Sequence, residues 1–127
     1  MGDRAEQEER RRRLREQPVI SVEQDGRAYV VKLGGELDLY NAEQVRTTLL
    51  EVVGKAPERL VLDLAEVEFI DSTALGALIE ARASLPNRRG LLLASPNLET
   101  RRALQVSGLD RHLPVHDSVD AALAAKL

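Results

Sequence analysis

Three consecutive polar residues, Asp71, Ser72 and Thr73, place one carboxylate beside two hydroxyl groups. The apolar run 60–64, Leu-Val-Leu-Asp-Leu, lies before them, and a pattern rich in alanine and leucine follows. This order predicts a buried strand followed by a helix that begins at about Thr73. A helix start presents unpaired backbone N–H groups and the positive end of the helix dipole. A hydroxyl there can cap the helix or accept a phosphate, and the residues alone leave both open.

The composition excludes several classes of function. Aromatic residues make up 2% of the chain and Trp is absent, so the stacking platforms of proteins that bind single-stranded nucleic acid are missing. The net charge of −3 also argues against a polyanionic partner, and we expect no direct nucleic-acid contact. The chain has no Cys, and His112 and His116 lack ligand spacing. We therefore expect neither a metal site nor a cofactor.

The motifs of common enzymes are also missing from the sequence. There is no Gly-x-Ser-x-Gly turn and no phosphate-binding loop that ends in Gly-Lys-Ser/Thr. We expect a binding protein and not an enzyme, with weak nucleotide affinity left open. No apolar stretch approaches the roughly 20 residues that span a bilayer, and the start is charged where a signal peptide is apolar. We therefore expect a cytoplasmic protein without membrane contact.

Residues 1–17 differ in composition from the rest of the chain. They are nearly all charged or polar, with the run 8–13, Glu-Glu-Arg-Arg-Arg-Arg, at their centre. Acidic and basic residues nearly balance in this segment, so we expect a flexible or helical extension and not a nucleic-acid arm. Pro18 predicts the start of the folded unit. We expect that unit to be a single domain over residues 18–127.

Hydrophobic patterning in the rest of the chain predicts alternating strands and helices. Two β-type runs, 19–23 and 28–33, flank the turn signal Asp25-Gly26. Gly34-Gly35 is expected to end the second strand, and Asn41 to cap the helix that follows it. Further strands are predicted at 60–64, 91–94 and 113–115, with helices at 73–85, after 97 and after 118.

The order β-β-α-β-α-β-α-β-α predicts an α/β domain. It favours a mostly parallel sheet of about five strands, with one antiparallel edge and about four helices. In such sheets, sites collect at the carboxyl ends of the strands. Loops are expected there at 35–41, 65–73 and 95–97, and we expect them to converge on one face.

One stretch of the chain is similar to a known signature. The run 69–76, Phe-Ile-Asp-Ser-Thr-Ala-Leu-Gly, resembles the phosphorylation signature of STAS domains, and most of all that of bacterial anti-sigma-factor antagonists. The stretch 35–38, Gly-Glu-Leu-Asp, before a capped helix resembles a second element of the family. The strand at 60–64 lies where the family has one, and the resemblance covers residues 18–125.

The resemblance implies a STAS fold and a role in partner switching. An unphosphorylated antagonist of this family binds an anti-sigma factor that is also a serine kinase of the histidine-kinase-like ATPase type, which frees a sigma factor for a stress response. The kinase phosphorylates the antagonist and so releases it, and a serine phosphatase resets the cycle. The phosphate is accepted by the serine after the signature aspartate, which here is Ser72, with Thr73 as a secondary candidate.

The resemblance also implies a partner-binding surface at the predicted loops and helix start. Its candidate residues are Asp38, Leu39, Tyr40, Asp71, Ser72, Thr73, Ala74, Leu75, Ser95, Pro96 and Asn97. Without the resemblance, Asp38 would be interpreted as a surface charge and 95–97 as a turn with a helix cap. A second function stays open: a STAS scaffold subunit of a multi-protein stress-signalling complex, with the charged extension as an assembly segment.

Overall fold

The computed structural model describes residues 3–127, without the side chains at positions 10, 11 and 13–16. Met1 and Gly2 of the predicted extension lie outside the described residues. The strands are β1 (Val19–Asp25), β2 (Ala28–Leu37), β3 (Arg59–Ile70), β4 (Leu91–Ala94) and β5 (Val115–His116). The α-helices are α1 (Arg4–Glu16), α2 (Ala42–Val53), α3 (Ser72–Ser84), α4 (Leu98–Ser107) and α5 (Val119–Ala124). Short 3-10 turns occur at Arg88–Gly90 and Leu109–Arg111.

The strands form one five-stranded sheet in the order β1-β2-β3-β4-β5. β1 and β2 are an antiparallel hairpin that turns at Gly26, whose φ of 60° suits a tight turn. The pairs β2–β3, β3–β4 and β4–β5 are all parallel. The predicted α/β fold with one antiparallel edge is therefore confirmed.

Two strands are longer than the sequence predicted. β2 does not end at Gly34-Gly35 but continues to Leu37, which pairs with Ile70 at the end of β3. β3 also runs past the predicted end of its apolar run at residue 64. Irregularities in the pairing on both sides of this glycine pair, and a φ of 75° at Gly35, let the strand bend without leaving the sheet. The predicted loops 35–41 and 65–73 therefore shrink to residues 38–41 and to Asp71.

The core lies mainly between the sheet and one layer of helices. β3 shows the pattern: Leu60 and Leu62 face α2, α3 and α4, whereas Val61 faces α5 on the opposite side. Leucine, valine and alanine fill this core, as the low aromatic content requires. The helix α1 lies against β2. Helices on both faces leave the carboxyl ends of β2, β3 and β4 as the edge where loops can form a site.

Candidate functional site

The helix α3 begins at a capping aspartate. Asp71 has extended backbone angles, and its Oδ1 accepts a hydrogen bond of 2.9 Å from the backbone N–H of Ala74. Ser72 and Thr73 are the first two residues of the helix, and both are exposed. The phosphate acceptor implied by the family resemblance is therefore accessible to an incoming protein.

The next two residues of α3 face inward. Ala74 is fully buried and Leu75 is 8% exposed. Both side chains pack in the main core, so they fix the position of the helix start and offer almost no surface to a partner.

Asp71 also connects α3 to the loop 38–41. Its second carboxylate oxygen, Oδ2, accepts a hydrogen bond of 3.1 Å from the backbone N–H of Leu39. The backbone N–H of Asp71 donates to the carbonyl of Leu37 at 3.0 Å. One carboxylate thus satisfies a helix N–H and a loop N–H together, and it holds the loop beside Ser72.

The buried side chain of Asn41 fixes the conformation of the loop 38–41. Asn41 is 3% exposed; its Oδ1 accepts from the backbone N–H of Asp38 at 2.9 Å, and its Nδ2 donates to the carbonyl of Glu36 at 2.8 Å. Asn41 occupies the N-cap position of α2, as predicted, but its side chain makes no cap hydrogen bond. Its amide instead closes the loop on itself, and Asp38 Oδ1 accepts from Tyr40 N–H at 2.9 Å.

This closed loop directs two large side chains into solvent. Leu39 is 67% exposed and Tyr40 is 85% exposed. Leu39 and Thr73 line the same groove between α2 and α3, so the loop and the start of α3 form one continuous surface. Exposed apolar side chains beside an accessible hydroxyl are typical of a surface that another protein covers.

The third loop is joined to the same edge of the sheet. Asn97 caps α4 by accepting from Thr100 N–H at 2.7 Å, and its Nδ2 donates to the carbonyls of Val67 at 3.1 Å and Glu68 at 3.3 Å. Ser95, at a positive φ of 58°, donates from Oγ to the carbonyl of Asp117 at 3.1 Å. These polar side chains are engaged within the chain, and Pro96 between them is partly buried. They hold α4 against β3 three residues before Asp71.

Two exposed apolar residues near these loops, Phe69 and Leu98, are not among the predicted partner-binding residues. Phe69 lies next to Glu68 near the end of β3, and Leu98 is the first residue of α4. The hydrogen bond from Asn97 to Glu68 brings these two chain segments together. Phe69 is the first residue of the signature-like run 69–76, but hydrophobic periodicity alone cannot tell an exposed position from a core position.

An ion pair joins α2 to α3 along the groove. Arg46 Nε lies 2.7 Å from Glu80 Oε2, and Arg46 Nη2 lies 2.9 Å from Glu80 Oε1. The hydrogen bond with Glu80 raises the pKa of Arg46, and the hydrogen bond from Arg46 lowers the pKa of Glu80. Both groups are exposed to solvent, so this fork fixes geometry more than it adds stability.

The described residues hold no cluster of three or more histidine, cysteine or acidic side chains that could bind a metal. Over the same part of the chain, no helix is long and apolar enough to cross a membrane. The functional groups that the site offers are two exposed hydroxyl groups, the N-terminus of α3 and the carboxylate that caps it, beside an exposed apolar loop.

The sequence profile of the STAS domain matches residues 19–122, and the chain therefore belongs to the STAS domain family. It is 32% identical over 107 residues to the anti-sigma F factor antagonist of Paenibacillus polymyxa, a match that covers 82% of this chain and 91% of that protein. It is 29% identical over 104 residues to the anti-sigma-F factor antagonist RsfB of Mycobacterium tuberculosis, with 82% and 85% covered.

A solved structure agrees with this assignment. The crystal structure of an anti-sigma factor antagonist from Mycobacterium paratuberculosis superposes with a TM-score of 0.76 at 32% identity, covering 81% of this chain and 88% of that chain. The family predicted from the residues around Ser72 and the predicted fold are both confirmed.

Proposed function

We propose that this protein is an anti-sigma-factor antagonist that is switched by phosphorylation of Ser72. The observation that carries the proposal is the exposed hydroxyl of Ser72 at the first residue of α3, directly after the capping Asp71 and beside the exposed loop 38–41. The names of the relatives, which are anti-sigma factor antagonists, support this class of function.

In its unphosphorylated form, the protein binds an anti-sigma factor through the surface around Ser72. Leu39, Tyr40 and Thr73 supply the contact area, because all three are exposed. Asp71 and Asn41 act as positioning residues, since their hydrogen bonds hold the loop 38–41 against α3. The partner is a serine kinase of the histidine-kinase-like ATPase type, and a serine phosphatase restores the binding form.

Phosphorylation acts by charge and bulk at the centre of this surface. A phosphoserine adds about −1.5 to −2 charges and three acceptor oxygens. On Ser72 it lies next to the Asp71 carboxylate, and a docked partner would have to desolvate both groups. Like charges placed together in an interface cost several kcal/mol, and each ~1.4 kcal/mol weakens affinity tenfold.

The same phosphate leaves the fold intact. Ser72 is in the first turn of α3, where the helix dipole and unpaired N–H groups favour negative charge. Its side chain is exposed, so the phosphate meets no packed neighbour. The switch therefore needs no large conformational change in this chain.

Mass mapping of the modified residue tests the assignment. The chain is incubated with ATP and the anti-sigma kinase from the same genome, alongside Ser72→Ala and Ser84→Ala variants. Ser84 is a matched control because it is exposed and lies at the other end of α3. We expect one phosphate on the wild type and on Ser84→Ala, and none on Ser72→Ala. Phosphate on another residue of the wild-type chain would contradict the proposal.

The proposal places the binding unit in residues 18–127, with residues 1–17 as an extension. The STAS profile begins at residue 19, and the carbonyl of Pro18 already accepts a hydrogen bond of 2.9 Å from Gly34 N–H. A chain that begins at Pro18 is expected to bind the same kinase with unchanged affinity. Loss of kinase binding in a folded, truncated chain would assign the partner surface to the extension instead.

A further inference from the structure

Gly76 lies on the solvent side of α3, one turn after Ser72. Glycine is a poor choice in a helix interior, because it stabilises the helix less than alanine does. A Cβ atom built on Gly76 would meet no described atom within 4 Å outside its own helix and chain neighbours. The fold alone therefore gives no reason for a missing side chain at this position.

At two other glycines, the fold itself explains why a side chain is absent. Gly108 ends α4 with a φ of 77°, a conformation that side chains disfavour. Gly90 lies so close to the backbone just before β3 that an added Cβ would be 2.7 Å from the carbonyl oxygen of Glu58. Gly76 has helical backbone angles and open space around it, so the room it leaves is available to something outside the chain.

That room belongs to a groove between α2 and α3. Gly76 lines it together with Thr73 and the exposed Leu39, and its volume is about 350 Å³. The Arg46–Glu80 ion pair joins the two helices that form its walls, so the groove is already formed in the unbound protein. Leu39 and Thr73 make the groove continuous with the surface that binds the anti-sigma factor in the proposed function.

We infer that a helix of the anti-sigma kinase packs in this groove, with its backbone closest to α3 at Gly76. This inference rests on the proposed function and names the point of contact. A third helix fits a groove between two helices, and the absence of a side chain lets helix axes approach to the short end of the usual 8–10 Å. Residues four apart lie on the same helix face, ~6 Å along the axis. An element docked at Gly76 is therefore within reach of a phosphate on Ser72.

Three variants test the inference: Gly76→Ala, Gly76→Gln and the control Ala83→Gln. Ala83 is exposed and lies two turns further along nearly the same face of α3, outside the groove lining. Circular dichroism melts establish folding, and both Gly76 variants are expected to melt ~2–5 °C higher because the helix gains propensity. Affinity for the purified anti-sigma kinase from the same genome is then measured by calorimetry.

We expect Gly76→Gln to weaken kinase binding about tenfold or more, Gly76→Ala to weaken it less, and Ala83→Gln to leave it unchanged. Wild-type affinity in Gly76→Gln, or equal losses in Gly76→Gln and Ala83→Gln, would overturn the inference and leave the proposed function standing. A wild-type chain that binds no kinase would overturn both. If Gly76→Gln instead abolishes self-association of the wild type, the groove binds a second copy and the inference is wrong.

Discussion

The Asp71→Asn substitution separates the two hydrogen bonds that this carboxylate accepts. Asparagine caps helices about as well as aspartate, so the bond from Ala74 N–H to Oδ1 is retained. The bond from Leu39 N–H to Oδ2 is lost, because an amide nitrogen donates and cannot accept. The loop 38–41 thereby loses its direct connection to α3.

The size of the effect follows from the exposure of the site. A hydrogen bond to a charged group contributes ~1.5–3 kcal/mol. Asp71 is only half-buried, so water can hydrogen-bond to the freed Leu39 N–H and offset part of this loss. We therefore expect Asp71→Asn to lower the free energy of unfolding by about 1 kcal/mol. Asp71→Ala removes the cap as well, and we expect a loss of about 2 kcal/mol.

Urea unfolding measures both losses, and amide hydrogen exchange at Leu39 reports the loop directly. In Asp71→Asn the Leu39 amide is expected to exchange faster while the Ala74 amide keeps its protection. Equal destabilisation by asparagine and alanine, or unchanged exchange at Leu39, would refute the idea that one carboxylate serves both elements.

Three further predictions concern stability. Ala56 has a φ of 52° in an exposed turn, so Ala56→Gly is expected to raise the free energy of unfolding by about 0.5–1 kcal/mol in urea titrations; a decrease would contradict this. Arg59 donates to two carbonyls at the end of α5, so Arg59→Leu is expected to lower the free energy of unfolding by about 1–3 kcal/mol and to speed hydrogen exchange in α5 first. Because Arg46 lowers the pKa of Glu80 below 4.5, the stabilisation from this pair is fully present above that pH and is lost as the pH falls through the lowered pKa. Melts of wild type and Glu80→Gln are therefore expected to differ only slightly at pH 7, because the pair is exposed, and to converge in acid; a difference that persists in acid would contradict the assignment.

The sequence was sufficient for the parts of the fold that depend on local pattern. Asp25-Gly26 predicted the hairpin, and the apolar runs at 60–64 and 91–94 predicted buried parallel strands. The polar run before the alanine-rich segment predicted the start of α3 within one residue. These features are encoded by neighbouring residues, so a single sequence can reveal them.

The features that the sequence did not predict depend on contacts between residues far apart in the chain. Gly34-Gly35 stays in β2 because β3 pairs alongside it, which overrides the breaking tendency of glycine. Asn41 turns inward because Glu36 and Asp38 lie within reach of its amide, although its type favours a cap. Arg46 and Glu80 are distant in sequence, and the open space at Gly76 is a property of the packed helices. No local pattern carries this information.

The effect of one phosphate on affinity tests the central claim most directly. Stoichiometrically phosphorylated and unphosphorylated chains are separated, and the Kd of each for the same anti-sigma kinase is measured at physiological salt. We predict that phosphate on Ser72 raises the Kd about a hundredfold, equivalent to ~2.7 kcal/mol, while circular dichroism shows an unchanged fold. Equal Kd values for the two forms, with the phosphate mapped to Ser72, would contradict the claim.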